Sequence, residues 1–191
     1  MARTYKSQIG AIPKIVNNFK PKTSNQNIFY NIIGDDQTQL ILCHGIAGTG
    51  KTYVSVYKAL QDVLRRGTPY NKLIIINPTV DVGNEDKLGF LPGELSSKIQ
   101  QYNESTFTIL DKIIGKDKAN KMISDGKLEI GVLNFLRGVN LENCYVILDE
   151  AQNVSPMQIK TLMTRLGNDC KMIIQGDMSQ CDKFKANGVT A

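Results

Sequence analysis

The segment GIAGTGKT, residues 45–52, has the residue types and spacing of a phosphate-binding loop. Its glycines allow backbone N–H groups to turn toward phosphate oxygens, and the start of the following helix adds positive potential. The Lys51 amine is expected to reach the outer phosphates and the Thr52 hydroxyl to bind Mg²⁺. The residues predicted to contact the nucleotide here are Gly45, Ile46, Ala47, Gly48, Thr49, Gly50, Lys51 and Thr52.

Two acids stand at the end of a second apolar run, CYVILDE. In open α/β sheets, ligands gather outside the carboxyl ends of the strands. Asp149 is therefore predicted to hold Mg²⁺ through water, and Glu150 to polarise an attacking water. Phosphoryl transfer needs both a metal anchor and a group that positions the nucleophile. The less favoured alternative, from this segment in isolation, is that the two acids cap the helix that follows.

A third polar group follows the apolar run in IIQGDMSQCD, where Asp177 and Gln180 come after a predicted strand. If that strand neighbours the phosphate-loop strand, the Gln180 amide faces the terminal phosphate and senses its presence. The local sequence alone favours a simple polar turn.

Apolar runs and helical segments alternate along the chain, which predicts an α/β fold with a mainly parallel sheet covered on both faces. The strands are predicted at LILCH, LIIIN, LEIGVL, CYVILDE and KMIIQGD. A short helix is predicted from Ser24 to Ile33, with Phe29, Ile32 and Ile33 on its inner face. Another is predicted to begin with Ser155 as N-cap and to stop at Gly167. Its predicted core face consists of Ile159, Leu162, Met163 and Leu166.

Composition limits the class of protein. The 191 residues fit one domain, and 41% hydrophobic with 21% charged residues is typical of a soluble globular protein. One histidine and no CxxC pair argue against a Cys/His zinc site. No apolar run is long enough to span a bilayer and the N-terminus lacks a signal-peptide core, so we predict a cytoplasmic protein with no membrane partner.

Residues 1–24 are predicted to form a basic N-terminal arm preceding a core of residues 25–191. The net charge of +5 permits a nucleic-acid partner without establishing one, because basic solvated faces are common. The basic residues of the arm are Arg3, Lys6, Lys14, Lys20 and Lys22.

The three polar motifs, in this order, resemble those of helicase-like P-loop ATPases, and most closely those of the PhoH family. The resemblance runs from about residue 25 to the C-terminus and is specific, since it includes several further segments. These are KLGFLPGEL (87–95), FLRG (135–138), VILDEAQN (146–153), TRLG (164–167) and QGDMSQCD (175–182). SNQNIFYNII resembles the segment upstream of the P-loop in superfamily 1 helicases, where Gln26 would contact adenine.

The resemblance implies a RecA/helicase-like, three-layer α/β/α P-loop fold that uses ATP and Mg²⁺. It implies that Thr52 and Asp149 bind the metal ion, that Glu150 polarises the attacking water and that Gln180 senses the terminal phosphate. Arg137 and Arg165 lie in family motifs and are the implied charge stabilisers, acting within one subunit or on a neighbour. A surface ion pair is an equal alternative for each arginine. The family context also implies an RNA-directed, helicase-like task on single-stranded nucleic acid, performed by a homo-oligomer such as a ring of subunits.

Two features depart from the family pattern. Asn77-Pro78 stands where relatives usually have Arg-Pro, so one basic contact is expected to be missing. The chain ends at GVTA, whereas family members commonly continue with a segment carrying a basic motif. Either a short version or a fragment explains this ending.

Two other functions remain open on sequence grounds. A nucleotide-dependent binding or assembly module would need the same loop but no turnover. A small-molecule or nucleoside kinase is a weaker alternative, because the Asp-Glu pair followed by Gln and the absence of an arginine-rich lid argue against it.

Overall fold

The computed structural model describes residues 15, 18–78, 103–131 and 140–180, in which helices and strands alternate. The strands are β1 (Leu40–His44), β2 (Lys72–Ile76), β3 (Leu128–Gly131), β4 (Cys144–Leu148) and β5 (Lys171–Gly176). The α-helices are α1 (Ser24–Gly34), α2 (Lys51–Leu64), α3 (Glu104–Ile114), α4 (Lys116–Ser124) and α5 (Pro156–Met163). Two short 3₁₀ turns are Ala151–Asn153 and Met178–Gln180. Among the helices of these ranges, none has the length and apolar character needed to cross a membrane.

The five strands form one parallel sheet in the order β1-β5-β4-β2-β3. This confirms the predicted α/β fold. β5 lies between β1 and β4, so the strands preceding the three polar motifs are adjacent. Because parallel strands all end on the same side, their motifs meet at one edge of the sheet. We call this the carboxyl edge, and the side where the strands begin the amino edge.

Helices cover both faces of the sheet and create two apolar cores. On one face, α1, α2, α3 and α4 pack over side chains such as Ile41, Leu73 and Ile147. On the other face, α5 packs over Val146 and Ile174. The central strands are buried on both sides, which explains their continuous apolar sequences. The arrangement is the predicted three-layer α/β/α fold.

Helix α1 confirms the predicted helix in that region but not its whole inner face. Ile33 is fully buried and Phe29 packs against the core. Ile32 is 42% exposed, so its predicted inward position is wrong. Tyr30 packs against the core instead, because the angular spacing of a helix turns residue 30 closer to α2 than residue 32.

A buried lysine fixes the C-terminal end of α1. Lys171 begins β5, is fully buried, and its Nζ donates hydrogen bonds of 2.7 Å to the carbonyl oxygens of both Ile33 and Asp35. Its ammonium also lies 5.6 Å from the ring centre of Tyr145. Burial lowers the pKa of Lys171. A cation at a helix C-terminus is electrostatically favourable, so Lys171 holds in place the helix that carries Gln26 at its other end.

Helix α5 begins as predicted, with Ser155 as N-cap in a full capping box, but it ends at Met163, before Gly167. Met163 is 38% exposed, so its predicted core position is also wrong. The chain leaves the helix because the Gly167 N–H donates to the Leu141 carbonyl at 2.8 Å. A Cβ on Gly167 would lie 2.9 Å from that oxygen. This glycine therefore permits a close backbone approach and does not act as the helix stop.

Candidate functional site

The loop after β1 has the backbone shape of a phosphate-binding loop. Gly48 (φ 78°) and Gly50 (φ 85°) adopt left-handed conformations, which favour glycine. Helix α2 begins directly after them at Lys51, so its first N–H groups face the loop. The Lys51 amine folds back over the loop and donates to the carbonyls of Gly45 at 2.6 Å and Ile46 at 3.1 Å. A cationic amine and the first N–H groups of the helix thus converge on one small region.

The predicted metal residues are in direct contact. The Thr52 hydroxyl donates a 2.7 Å hydrogen bond to Oδ2 of Asp149, although the two residues are 97 positions apart. Asp149 is buried at the end of β4. Mg²⁺ in phosphate-transfer sites is commonly held by one or two carboxylates together with substrate phosphates. A hydroxyl and a carboxylate beside a phosphate loop fit that set of oxygen ligands.

A buried amide joins Glu150 to Gln180. Glu150 is exposed and has a left-handed φ of 48°, a conformation that costs energy in a non-glycine residue and clusters at functional sites. Nε2 of Gln152 donates to Glu150 Oε2 at 2.5 Å and to Gln180 Oε1 at 3.3 Å. Oε1 of Gln152 accepts from the Asp177 backbone N–H at 3.0 Å. The two side chains predicted to act on water and phosphate are therefore linked through one residue.

Asp177 ties the phosphate loop to the turn that carries Gln180. Its Oδ2 accepts the backbone N–H of Ala47 at 2.7 Å, and its Oδ1 accepts the backbone N–H and hydroxyl of Ser179. The Ser179 hydroxyl hydrogen bond, with those from backbone N–H groups, lowers the pKa of Asp177. The residue therefore remains a carboxylate near neutral pH.

Gln26 lies against the loop from the side of α1. Its Nε2 donates to the Thr49 carbonyl at 3.0 Å, and its Oε1 accepts the Lys22 N–H at 2.8 Å. A Cβ on Gly50 would lie 3.2 Å from that Nε2. Gln26 thus presents both polar ends of its amide beside the loop.

Of the two predicted arginines, only Arg165 lies among the described residues, and it is not near the phosphate loop. Arg137 lies outside the described residues, as do KLGFLPGEL and FLRG. The Arg165 carbonyl accepts the Leu141 N–H at 2.9 Å, which puts Arg165 at the amino edge. A five-residue strand spans about 16 Å, so Arg165 and the phosphate loop lie at opposite ends of the sheet. Its Nε is buried with no hydrogen-bond partner in the described part of the chain.

Three residues of the cluster had no role in the sequence-based prediction of the site. All three lie inside recognised motifs, and Gln175 is also part of β5. All three are buried. A polar residue inside an apolar strand is the signal that could have revealed Gln175, because buried polar groups require partners. The sequence alone does not name those partners.

Comparison with known proteins identifies the family. A family model described as PhoH-like protein matches residues 18–191. The chain belongs to the PhoH-like protein family. One PhoH-like relative, from Bacillus subtilis, is 43% identical over 146 residues, covering 76% of this chain and 44% of the relative. A PhoH-like protein from Synechocystis is 37% identical over 163 residues, covering 85% and 48%. Protein PhoH of Escherichia coli K12 is 36% identical over 149 residues, covering 77% and 41%.

This PhoH-like chain spans about half the length of the curated relatives it matches. Its fold is also similar to that of the Sulfolobus solfataricus SWI2/SNF2 ATPase core, which was solved in complex with dsDNA. That similarity has a TM-score of 0.52 at 16% identity and covers 89% of this chain and 34% of the other. At this level of identity the similarity shows that the two chains share an α/β fold.

Proposed function

We propose that this PhoH-like chain binds ATP with Mg²⁺ at the carboxyl edge and hydrolyses it. The observation that carries the proposal is the 2.7 Å hydrogen bond between Thr52 and Asp149 at the mouth of the phosphate loop. This hydrogen bond joins the end of the phosphate loop to the Asp149–Glu150 pair. It places the Thr52 hydroxyl oxygen and an Asp149 carboxylate oxygen side by side next to the loop. Those oxygens, together with nucleotide phosphates, would hold Mg²⁺, which supplies positive charge to the phosphates when bound.

Nucleotide binding would use groups that now bond within the loop. The Lys51 amine would exchange the Gly45 and Ile46 carbonyls for phosphate oxygens, which are stronger acceptors. The first N–H groups of α2 would add hydrogen bonds to the same phosphates. Gln26 would present its amide to adenine, which offers both a donor and an acceptor.

Hydrolysis would depend on the linked side chains at the same edge. Glu150 is exposed and would orient the attacking water. Gln180 would contact the terminal phosphate. Gln152 forms hydrogen bonds with both Glu150 and Gln180. Loss of the terminal phosphate would therefore change the positions of Glu150 and of the 3₁₀ turn that follows Asp177.

Lys51→Ala is expected to weaken ATP binding about 10- to 100-fold while leaving the protein folded. The amine forms charge-assisted hydrogen bonds, each contributing about 1.5–3 kcal/mol, and tenfold in affinity corresponds to about 1.4 kcal/mol. Titration of a fluorescent ATP analogue with Mg²⁺ measures the change. Lys127→Ala is the matched control, because Lys127 is an exposed lysine at the amino edge, before β3. If wild type and a folded Lys51→Ala protein bound the ATP analogue with equal affinity, the assignment of the nucleotide to this loop would be wrong.

We further propose that the protein acts on RNA in a helicase-like remodelling task, supported by the family resemblance and the net positive charge. The basic arm is the surface proposed to contact the phosphate backbone. The deletion that tests it must stop at residue 14, because Ile15 packs against the core and the Phe19 ring lies 5.3 Å from that of Tyr53.

Deletion of residues 1–14, which removes Arg3, Lys6 and Lys14, is expected to weaken single-stranded RNA binding and to leave ATP binding unchanged. Loss of three phosphate contacts should also reduce the slope of log affinity against log salt by about 2, at roughly 0.7 per contact on single strands. Fluorescence anisotropy with a labelled RNA at several salt concentrations measures both. An unchanged affinity and slope would mean that the arm is a solvated segment with no role in RNA binding.

A further inference from the structure

The end of strand β5 carries a polar side chain in the interior of the protein. Gln175 is fully buried, and its Nε2 donates to Asp149 Oδ1 at 2.9 Å and to the Thr52 hydroxyl oxygen at 3.2 Å. An amide nitrogen has two hydrogens, so both are used on the two residues proposed to bind the cation.

The orientation of this amide is set by its neighbours. If the amide were rotated by 180°, its carbonyl oxygen would face the Asp149 carboxylate, and two acceptors would repel each other. In the orientation present, the carbonyl oxygen Oε1 of Gln175 is buried without a hydrogen-bond donor in the described ranges. Leaving a buried acceptor unpaired is costly. Despite this cost, the observed orientation directs both amide hydrogens to Asp149 and Thr52.

These hydrogen bonds determine which lone pairs remain free. A carboxylate offers about four lone-pair positions, and Asp149 fills three of them with the Thr52 hydroxyl, the Glu150 N–H and Gln175 Nε2. Thr52 gives its hydrogen to Asp149 and fills one of its two lone pairs from Gln175. Among the described residues, nothing occupies the remaining lone pair of Asp149 or of the Thr52 hydroxyl, and the hydroxyl cannot rotate without breaking a bond.

We propose that Gln175 is a positioning residue for the cation, holding Thr52 and Asp149 so that their free oxygen lone pairs are ready for Mg²⁺. The inference rests on the proposed Mg²⁺–ATP function and goes beyond it, because it assigns a role to a residue that touches neither nucleotide nor metal. Residues that hold metal ligands from behind commonly change metal affinity 10- to 100-fold when replaced.

Gln175→Met tests this role, because methionine has a similar volume and no donor. Binding of a fluorescent ADP analogue is measured in EDTA and across a Mg²⁺ titration, and Mn²⁺ binding to the nucleotide complex is followed by electron paramagnetic resonance. The variant is expected to bind nucleotide in EDTA as wild type does. The Mg²⁺ and Mn²⁺ concentrations for half saturation are expected to rise 10- to 100-fold. Gln37→Met, at an exposed glutamine, is the control and should change neither.

Gln175→Asn provides a second variant, whose amide is retained but is one methylene short of its acceptors, and the same rise in metal concentration is expected. A folded variant with wild-type metal affinity would overturn the proposal. An equal loss of nucleotide affinity in EDTA would also overturn it, since Gln175 would then act on the loop. A wild-type protein that binds nucleotide with no Mg²⁺ dependence would instead overturn the proposed function itself.

Discussion

Arg165→Ala is expected to lower ATP hydrolysis by about 10³- to 10⁵-fold, and mixing it with a second inactive variant is expected to restore part of that activity. Charge that develops on the transferred phosphoryl group is only partly neutralised by Lys51 and Mg²⁺, and an arginine that completes the task has an effect of that size in related systems. Arg165 lies at the amino edge, at the other end of the sheet from its own phosphate loop. We therefore propose that it acts on the ATP of a neighbouring subunit.

Such an arrangement requires head-to-tail contacts, which generate a ring when the rotation closes. In an equal mixture of Lys51→Ala and Arg165→Ala subunits, about one site in four would combine an intact loop with a neighbour's intact arginine. The mixture should therefore recover about a quarter of wild-type turnover. Phosphate release by the mixture and by each variant alone measures this.

Arg137→Ala is the parallel experiment, because Arg137 is the other arginine proposed for this role. An arginine that acts within its own subunit predicts no recovery on mixing with Lys51→Ala. If Arg165→Ala alone hydrolyses ATP at the wild-type rate, Arg165 has only a structural role. A monomeric protein whose turnover per molecule is independent of concentration would exclude action between subunits for both arginines.

Glu150→Gln is expected to bind Mg²⁺–ATP normally and to hydrolyse it about 10²- to 10⁴-fold more slowly, the usual contribution of a group that takes a proton or positions water. The substitution keeps the shape of the side chain, and its amide oxygen can still accept from Gln152. Only basicity is lost. Single-turnover hydrolysis, measured alongside equilibrium binding, separates the chemical step from affinity.

Glu142→Gln is the matched control, because Glu142 is an exposed acid at the amino edge. Asp149→Asn should behave differently from Glu150→Gln. Its amide would bring an N–H group against donors now held by the carboxylate, from Thr52 and Gln175, so Mg²⁺-dependent binding should fall. Identical defects in Asp149→Asn and Glu150→Gln would contradict the separate roles given to these two acids.

The sheet was predictable because its strands are short apolar runs followed by polar motifs. The sequence did not predict that β1 and β5 are neighbours. Their adjacency was the condition under which Gln180 could face the terminal phosphate, and the structure shows that the two strands do pair. The exact ends of helices were less predictable, since Gly167 is explained by a tertiary contact with Leu141 that has no local signal.

The candidate site was predictable at the level of its motifs but not of its internal contacts. The phosphate loop and the Asp149–Glu150 pair follow from residue types and spacing. The bonds of Gln152, Gln175 and Asp177 join residues far apart in sequence, and their partners depend on which strands are neighbours. Asn77 illustrates the same limit. The sequence predicted only that a basic contact is missing where relatives have arginine, whereas the structure shows that the Asn77 amide donates hydrogen bonds to Asn103 and Thr106.

Phosphate release from ATP by the purified chain tests the central claim most directly. The assay compares wild type with Lys51→Ala, with Mg²⁺ or EDTA, and with or without single-stranded RNA. We predict release that requires Mg²⁺, is lost in Lys51→Ala and persists at enzyme-like turnover in the wild type. Binding of ATP without release under every condition would contradict hydrolysis and favour a nucleotide-dependent assembly module, and equal release by Lys51→Ala would contradict the site itself.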